Sequence, residues 1–188
     1  IDNPIEQVFL AAASTAYSYT NGKEARIQGL EVDAQFRLGR LASSLDHFRA
    51  SGNFSWIDSE VQVEERGAFI PTNDRRPLEG QAQYVVNAGV TYTVEWRDLE
   101  LGVFLNRLGK RLNAAGGSGI PDIYEQPRNG LDATFRMAVA RGGTLKIKGT
   151  NLLDAPYRFE QSKNGITLLQ HEYWRGRTFS VGLSYDLF

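Results

Sequence analysis

Arg175-Gly176-Arg177-Thr178-Phe179-Ser180-Val181-Gly182-Leu183-Ser184-Tyr185-Asp186-Leu187-Phe188 closes the sequence and decides how it folds. Phe179, Val181, Leu183, Tyr185 and Leu187 fall on one face of a strand. Ser180, Gly182, Ser184 and Asp186 fall on the other. Successive side chains of a strand point to opposite sides. This strand therefore has one apolar face and one small or polar face, and it ends on an aromatic residue. Such a strand suits a wall between lipid and a watery lumen.

The pattern recurs upstream. Leu30, Val32, Ala34, Phe36 and Leu38 alternate with Glu31, Asp33, Gln35 and Arg37. Phe48 to Trp56, Val86 to Val94 and Leu131 to Val139 do the same, and Leu99 to Asn106 follows except at Phe104. Period-two alternation marks strands with two unlike faces. The spacing predicts an antiparallel up-and-down β-barrel segment of about eight strands, near residues 5–20, 23–39, 45–63, 81–95, 99–112, 127–140, 144–162 and 166–188. Asn21-Gly22 and Asn164-Gly165 are expected to be tight hairpin turns. Connections 39–44, 95–98 and 141–143 are short and fall on one side. The long, polar connections 64–80 and 113–126 fall on the other. Outer-membrane barrels segregate their connections in this way. Trp96 in a short turn, and Trp56 and Trp174 toward the far ends of their strands, suit aromatic girdles at both interfaces.

Bulk properties narrow the function. The 188 residues carry a formal net charge of -1, which argues against a nucleic-acid partner. Mean hydropathy is -0.36, and no unbroken apolar run approaches the length of a membrane helix. Cysteine is absent, which removes thiol catalysis and disulfides. His47 and His171 lack a metal-ligand spacing, and Gly116-Gly117-Ser118-Gly119 lacks the Lys-Ser/Thr of a phosphate loop. Neither a catalytic set nor a metal or cofactor site is expected, and the chain reads as a non-enzyme. Its first residues lack an initiator Met and a signal peptide, so a processed product or a piece of a longer chain is expected.

Several short segments carry a family likeness. They are Asn3-Pro4-Ile5-Glu6, Ala25-Arg26-Ile27-Gln28-Gly29-Leu30-Glu31 and Gly52-Asn53-Phe54-Ser55-Trp56-Ile57-Asp58-Ser59. Asn151-Leu152-Leu153-Asp154-Ala155-Pro156-Tyr157 and Gly176-Arg177-Thr178-Phe179 follow in order. Together they resemble the C-terminal barrel region of TonB-dependent outer-membrane receptors, over essentially the whole chain, 1–188. The resemblance implies a larger, 22-stranded barrel whose plug and first strands are absent here. It implies import of a scarce nutrient such as a siderophore, cobalamin or oligosaccharide. The implied partners are outer-membrane lipid, that nutrient, the barrel-assembly machinery acting on the last strand, and TonB-ExbB-ExbD through the absent N-terminal parts. Phe179, Val181, Leu183, Tyr185, Leu187 and Phe188 would form the insertion signal. Phe188 is one residue out of phase with the outward row, which makes that signal irregular.

Substrate contact is expected from Asp74, Arg75, Arg76, Tyr124, Gln126 and Arg128 in the long loops. Glu31, Asp33, Arg37, Arg49, Asp132 and Arg136 are expected to line the lumen. Two other readings stay open. One is a complete eight-stranded outer-membrane barrel with a structural or adhesive role. The other is a soluble β-barrel that binds a small apolar ligand.

Overall fold

The computed structural model describes residues 1–9, 17–63, 70–139 and 142–185. Among these described residues fourteen strands follow one another: β1 (Ile5–Phe9), β2 (Tyr17–Asn21), β3 (Glu24–Arg37), β4 (Phe48–Gln62), β5 (Arg75–Arg76), β6 (Tyr84–Val94), β7 (Leu99–Leu108), β8 (Arg111–Ala114), β9 (Ile123–Glu125), β10 (Arg128–Val139), β11 (Gly143–Thr150), β12 (Tyr157–Lys163), β13 (Ile166–Tyr173) and β14 (Thr178–Tyr185). All pairings are antiparallel. The main sheet runs β14-β11-β10-β7-β6-β4-β3, with β5 added on β4. A second sheet runs β13-β12-β9-β8. Its strands continue β14, β11, β10 and β7 in the same lateral order. The two sheets are thus successive levels of one meander, and the longest hairpins rise past the main wall. Among the described residues the main sheet does not close: β3 and β14 do not pair with each other.

Connections sort by end, as the alternation and turn spacing predict. Two short turns of 3-10 helix join β3 to β4, and one joins β6 to β7, at one end. Residues 70–74 and the connections 115–122 and 151–156 lie at the other.

Register aligns the two kinds of side chain into unbroken rows. Phe36, Ala50, Val90, Val103, Ala133, Gly149 and Phe179 oppose one another across seven strands. The row two residues on is Phe48, Tyr92, Leu101, Phe135, Ile147 and Val181. These side chains face outward. Phe179, Val181, Leu183 and Tyr185 are 70%, 72%, 74% and 54% exposed, and Leu30, Val103 and Leu105 are exposed as well. Buried hydrophobic residues are few among the described ones, and most gather at the long-loop end: Val61, Val63, Ala82, Leu112, Ala115, Tyr157 and Phe159. A soluble sandwich or barrel would bury its apolar rows inside. Here the apolar rows are exposed, which disfavours a soluble barrel with an apolar interior.

Two local expectations are corrected. Residues 5–20 do not make one strand: Ile5–Phe9 pairs with Tyr17–Asn21 as its own two-stranded sheet. Asn21-Gly22 is not a hairpin turn. A type I′ turn needs positive φ at both central residues, and neither residue has it. The chain runs on from β2 into β3 while changing neighbours. Gly22 donates its N–H to Pro4 O at 2.7 Å, and Lys23 donates to Gln62 O at 2.9 Å. A Cβ on Gly22 would meet Val61 Cγ2 at 2.9 Å, so closeness rather than turn geometry requires glycine there. Asn164-Gly165 does form the expected turn. Its φ values are 52° and 79°, and Lys163 pairs with Ile166 across it.

The structure also explains why two of the resembling segments belong together. Asn151 and Asp154 both adopt positive φ, 54° and 49°, in the turn after β11. Asn151 Nδ2 donates to Gly176 O at 2.7 Å, and Gly176 N–H donates to Asp154 Oδ1 at 3.1 Å. Arg177 Nε donates to Leu152 O at 2.9 Å. This clasp ties the loop before the last strand to the turn after β11. Asn151→Ala removes one bond and places alanine in the left-handed region. It is expected to destabilise the refolded protein by about 1–2 kcal/mol, read from the midpoint of a urea titration in lipid vesicles.

Candidate functional site: the polar concave face

The inner face carries the charged and amide side chains of the same strands. Asp33, Gln35, Ser51, Asn87, Asp132 and Thr178 border one concavity of about 940 Å³. These residues come from strands across the whole width of the main sheet, so the polar face is the hollow one. Hydrophilic residues inside and hydrophobic ones outside is the inverse of a soluble core.

Register builds an amide ladder on that face. Asp33, Asn53, Asn87, Asn106 and Gly130 stand in one row. Asn106 Nδ2 donates to Asn87 Oδ1 at 2.6 Å, and Asn87 Nδ2 donates to Asn53 Oδ1 at 2.6 Å. Asn53 Nδ2 then reaches Glu31 Oε1 at 3.4 Å. The bonds run in one direction and end on a carboxylate, which suits a cooperative chain. Phe104, the exception to alternation, lies on this polar face. Cβ atoms on Gly89 and Gly102 would approach its ring to 2.7 and 2.6 Å. The two glycines leave room for the ring to lie flat against the wall, which covers their exposed backbone. One apolar surface is thus set among amides and carboxylates.

The expected lumen residues all share this face, but they serve different ends. Asp132 Oδ1 accepts the Asn151 N–H at 3.0 Å, so it supports the clasp as well as the wall. Arg136 makes a two-point pair with Asp98 at 2.9 and 3.3 Å, across to the β6–β7 turn. Arg37 and Arg49 oppose each other directly. Like charges so placed repel. Asp46, Glu95 and Glu100 border the same hollow of about 730 Å³ at the short-turn end and offset that charge.

The family model described as TonB dependent receptor-like, beta-barrel matches residues 1–155. The chain belongs to the TonB-dependent receptor β-barrel family. No solved structure matches it. The match ends at Ala155, yet β12 to β14 continue the same sheets without a break. Membership in this family of transport receptors, rather than of enzymes, implies outer-membrane transport.

In this TonB-dependent receptor barrel the loop residues expected to contact substrate do not all border one hollow. Asp74, Arg75 and Arg76 lie along the edge of β4. Arg75 is exposed and 3.7 Å from Glu60, and the Asp74 carbonyl accepts the Val63 N–H at 2.8 Å. Arg76 is 3% exposed: its side chain is packed inside the long-loop end, close enough to Tyr124 to act on its phenol, rather than standing in an open loop. Tyr124 and Gln126 border a smaller hollow with Asn73, Lys110 and Asp122. Burial raises the Tyr124 phenol above its ordinary value, and the nearby Asp122 charge adds to this, against the smaller opposing effect of the Arg76 charge. Lys110 Nζ sits 4.3 Å from that ring. Arg128 alone joins the main concavity, on the inner face in line with Gly130 and Asp132. Of the expected insertion residues, Phe179, Val181, Leu183 and Tyr185 form the outward row, while Leu187 and Phe188 lie outside the described residues.

Proposed function

We propose that this chain is the C-terminal wall of a 22-stranded, plugged outer-membrane receptor that imports a scarce nutrient under TonB energy. The inverted polarity of the sheet carries this reading. An apolar convex face matches lipid, and a polar concave face matches a wet lumen. The main sheet also ends on β3 and β14 without closing. Unpaired edges are not tolerated in hydrocarbon, so further strands are required to complete the wall. This favours a larger barrel over a self-contained eight-stranded one. The long-loop end faces the outside of the cell and contributes to substrate capture. The short turns face the periplasm, and the outward row of β14 is the strand that the barrel-assembly machinery reads.

The test is the apparent mass of the native polypeptide in an outer-membrane fraction, detected with an antibody against β13–β14. A band several times 21.0 kDa is expected, since 22 strands at this density need roughly 58 kDa before any plug. A band near 21 kDa in that fraction overturns the importer reading in favour of a small barrel.

A further inference from the structure

Tyr157 carries two guanidinium groups. The Arg128 guanidinium carbon lies 4.0 Å from its ring centroid, and that of Arg175 lies 4.4 Å away. Tyr173 stacks on the same ring at 4.9 Å, nearly parallel. Arg128, Tyr157 and Arg175 all border the main concavity, at its long-loop end. Neither arginine has an ion pair among the described residues. Arg128 Nε is buried and lacks a hydrogen-bond acceptor.

The carboxylates of this region are already engaged. Asp132 accepts the Asn151 N–H, and Asp154 accepts the Gly176 N–H. Glu160 and Glu172 both turn to Arg158, and Glu125 pairs with Arg111 at 2.6 Å. Two adjacent cations repel, and a buried N–H without an acceptor is costly. Stacking on tyrosine holds both planar groups in place and leaves their in-plane N–H donors available. An unpaired arginine fork suits a carboxylate or phosphate, which it can grip at two points.

We propose that Arg128 and Arg175, pre-positioned on Tyr157, form an oxyanion site for a carboxylate- or phosphate-bearing solute entering the lumen. This deepens the importer reading and rests on it. The amide ladder lies further along the same concavity, where it meets the uncharged part of such a solute.

The experiment uses the full-length receptor in detergent, with citrate and pyrophosphate as anionic probes and maltotriose as the uncharged one, measured by equilibrium dialysis. Saturable binding of at least one anionic probe is expected, weakening as salt is raised. Arg128→Gln and Arg175→Gln should each lower its affinity about tenfold or more. Arg97→Gln, at the short-turn end, should leave it unchanged. Arg128→Lys keeps the charge without the fork and should fall between. Heat-modifiable gel mobility checks that each variant is folded. If no anionic probe binds, or if affinity is indifferent to both Gln substitutions, the site is overturned. TonB-dependent uptake by cells, assayed separately, tells failure of this site from failure of the importer reading.

Discussion

Val103→Arg is expected to destabilise the protein in lipid by about 2–4 kcal/mol, while Ser51→Arg costs far less. Val103 lies mid-strand in β7, 51% exposed, between Val90 and Ala133. Its row continues across the sheet through Ala50 and Phe36. Under the proposed orientation a guanidinium placed there sits in hydrocarbon, on the face away from the polar concavity. Ser51 is in the neighbouring row on the opposite face, beside Gln35 and Gly89. An arginine there extends into the open concavity and remains solvated. Denaturant titrations of the two variants refolded into vesicles separate the faces. Equal losses would refute the assignment of lipid to the convex side.

The second large effect is expected at the long-loop end. Asp122 is 3% exposed and accepts two hydrogen bonds, from Gly116 N–H at 2.7 Å and Asn73 Nδ2 at 2.8 Å. It joins two connections that are far apart in sequence. Segment 70–73 is laid against 116–120 through Ser118 N–H to Ile70 O at 2.8 Å and Thr72 Oγ1 to Ile120 O at 2.6 Å. Asp122→Ala strips the acceptor from a buried amide and from the Asn73 side chain at once. Bonds to a charged acceptor contribute about 1.5–3 kcal/mol each, so the loops lose roughly 3 kcal/mol of local stability. Because the wall strands do not depend on Asp122, the loss is local. Hydrogen exchange should rise about a hundredfold at Gly116 and Ser118, with the amides of β7 and β10 unchanged. Asp122→Asn, which keeps one acceptor, should lie between. Protection retained in Asp122→Ala would show that backbone pairing alone holds the loops.

Some of the candidate site was legible in the chain. Glu31, Asp33, Arg37, Arg49, Asp132 and Arg136 alternate with apolar residues, so each announces its face without any knowledge of its neighbours. The burial of Arg76 was not legible, because a charged residue in a polar loop looks solvated and nothing local reveals that the segment folds back on β4. The Asn21-Gly22 pair misled for a related reason. The dipeptide prefers a hairpin, but backbone bonds to Pro4 and Gln62 hold it in a different conformation. Phe104 broke the alternation without explanation until its two glycine neighbours on the inner face came together.

The sequence by itself determined what depends on period and local geometry: a strand-rich wall with unlike faces, short turns at one end and long loops at the other, and the sharp turn at Asn164-Gly165. Only the tertiary structure decided what depends on which strand lies beside which. The Asn53–Asn87–Asn106 ladder, the clasp between Asn151 and Gly176, and the two arginines on Tyr157 each join residues from separate strands or loops. Their meeting is set by register, and one residue of slip would turn every side chain of a strand to the other face. Curvature was likewise a property of the assembled sheet. It set the polar rows around one concavity and left the apolar rows on the opposite, exposed face.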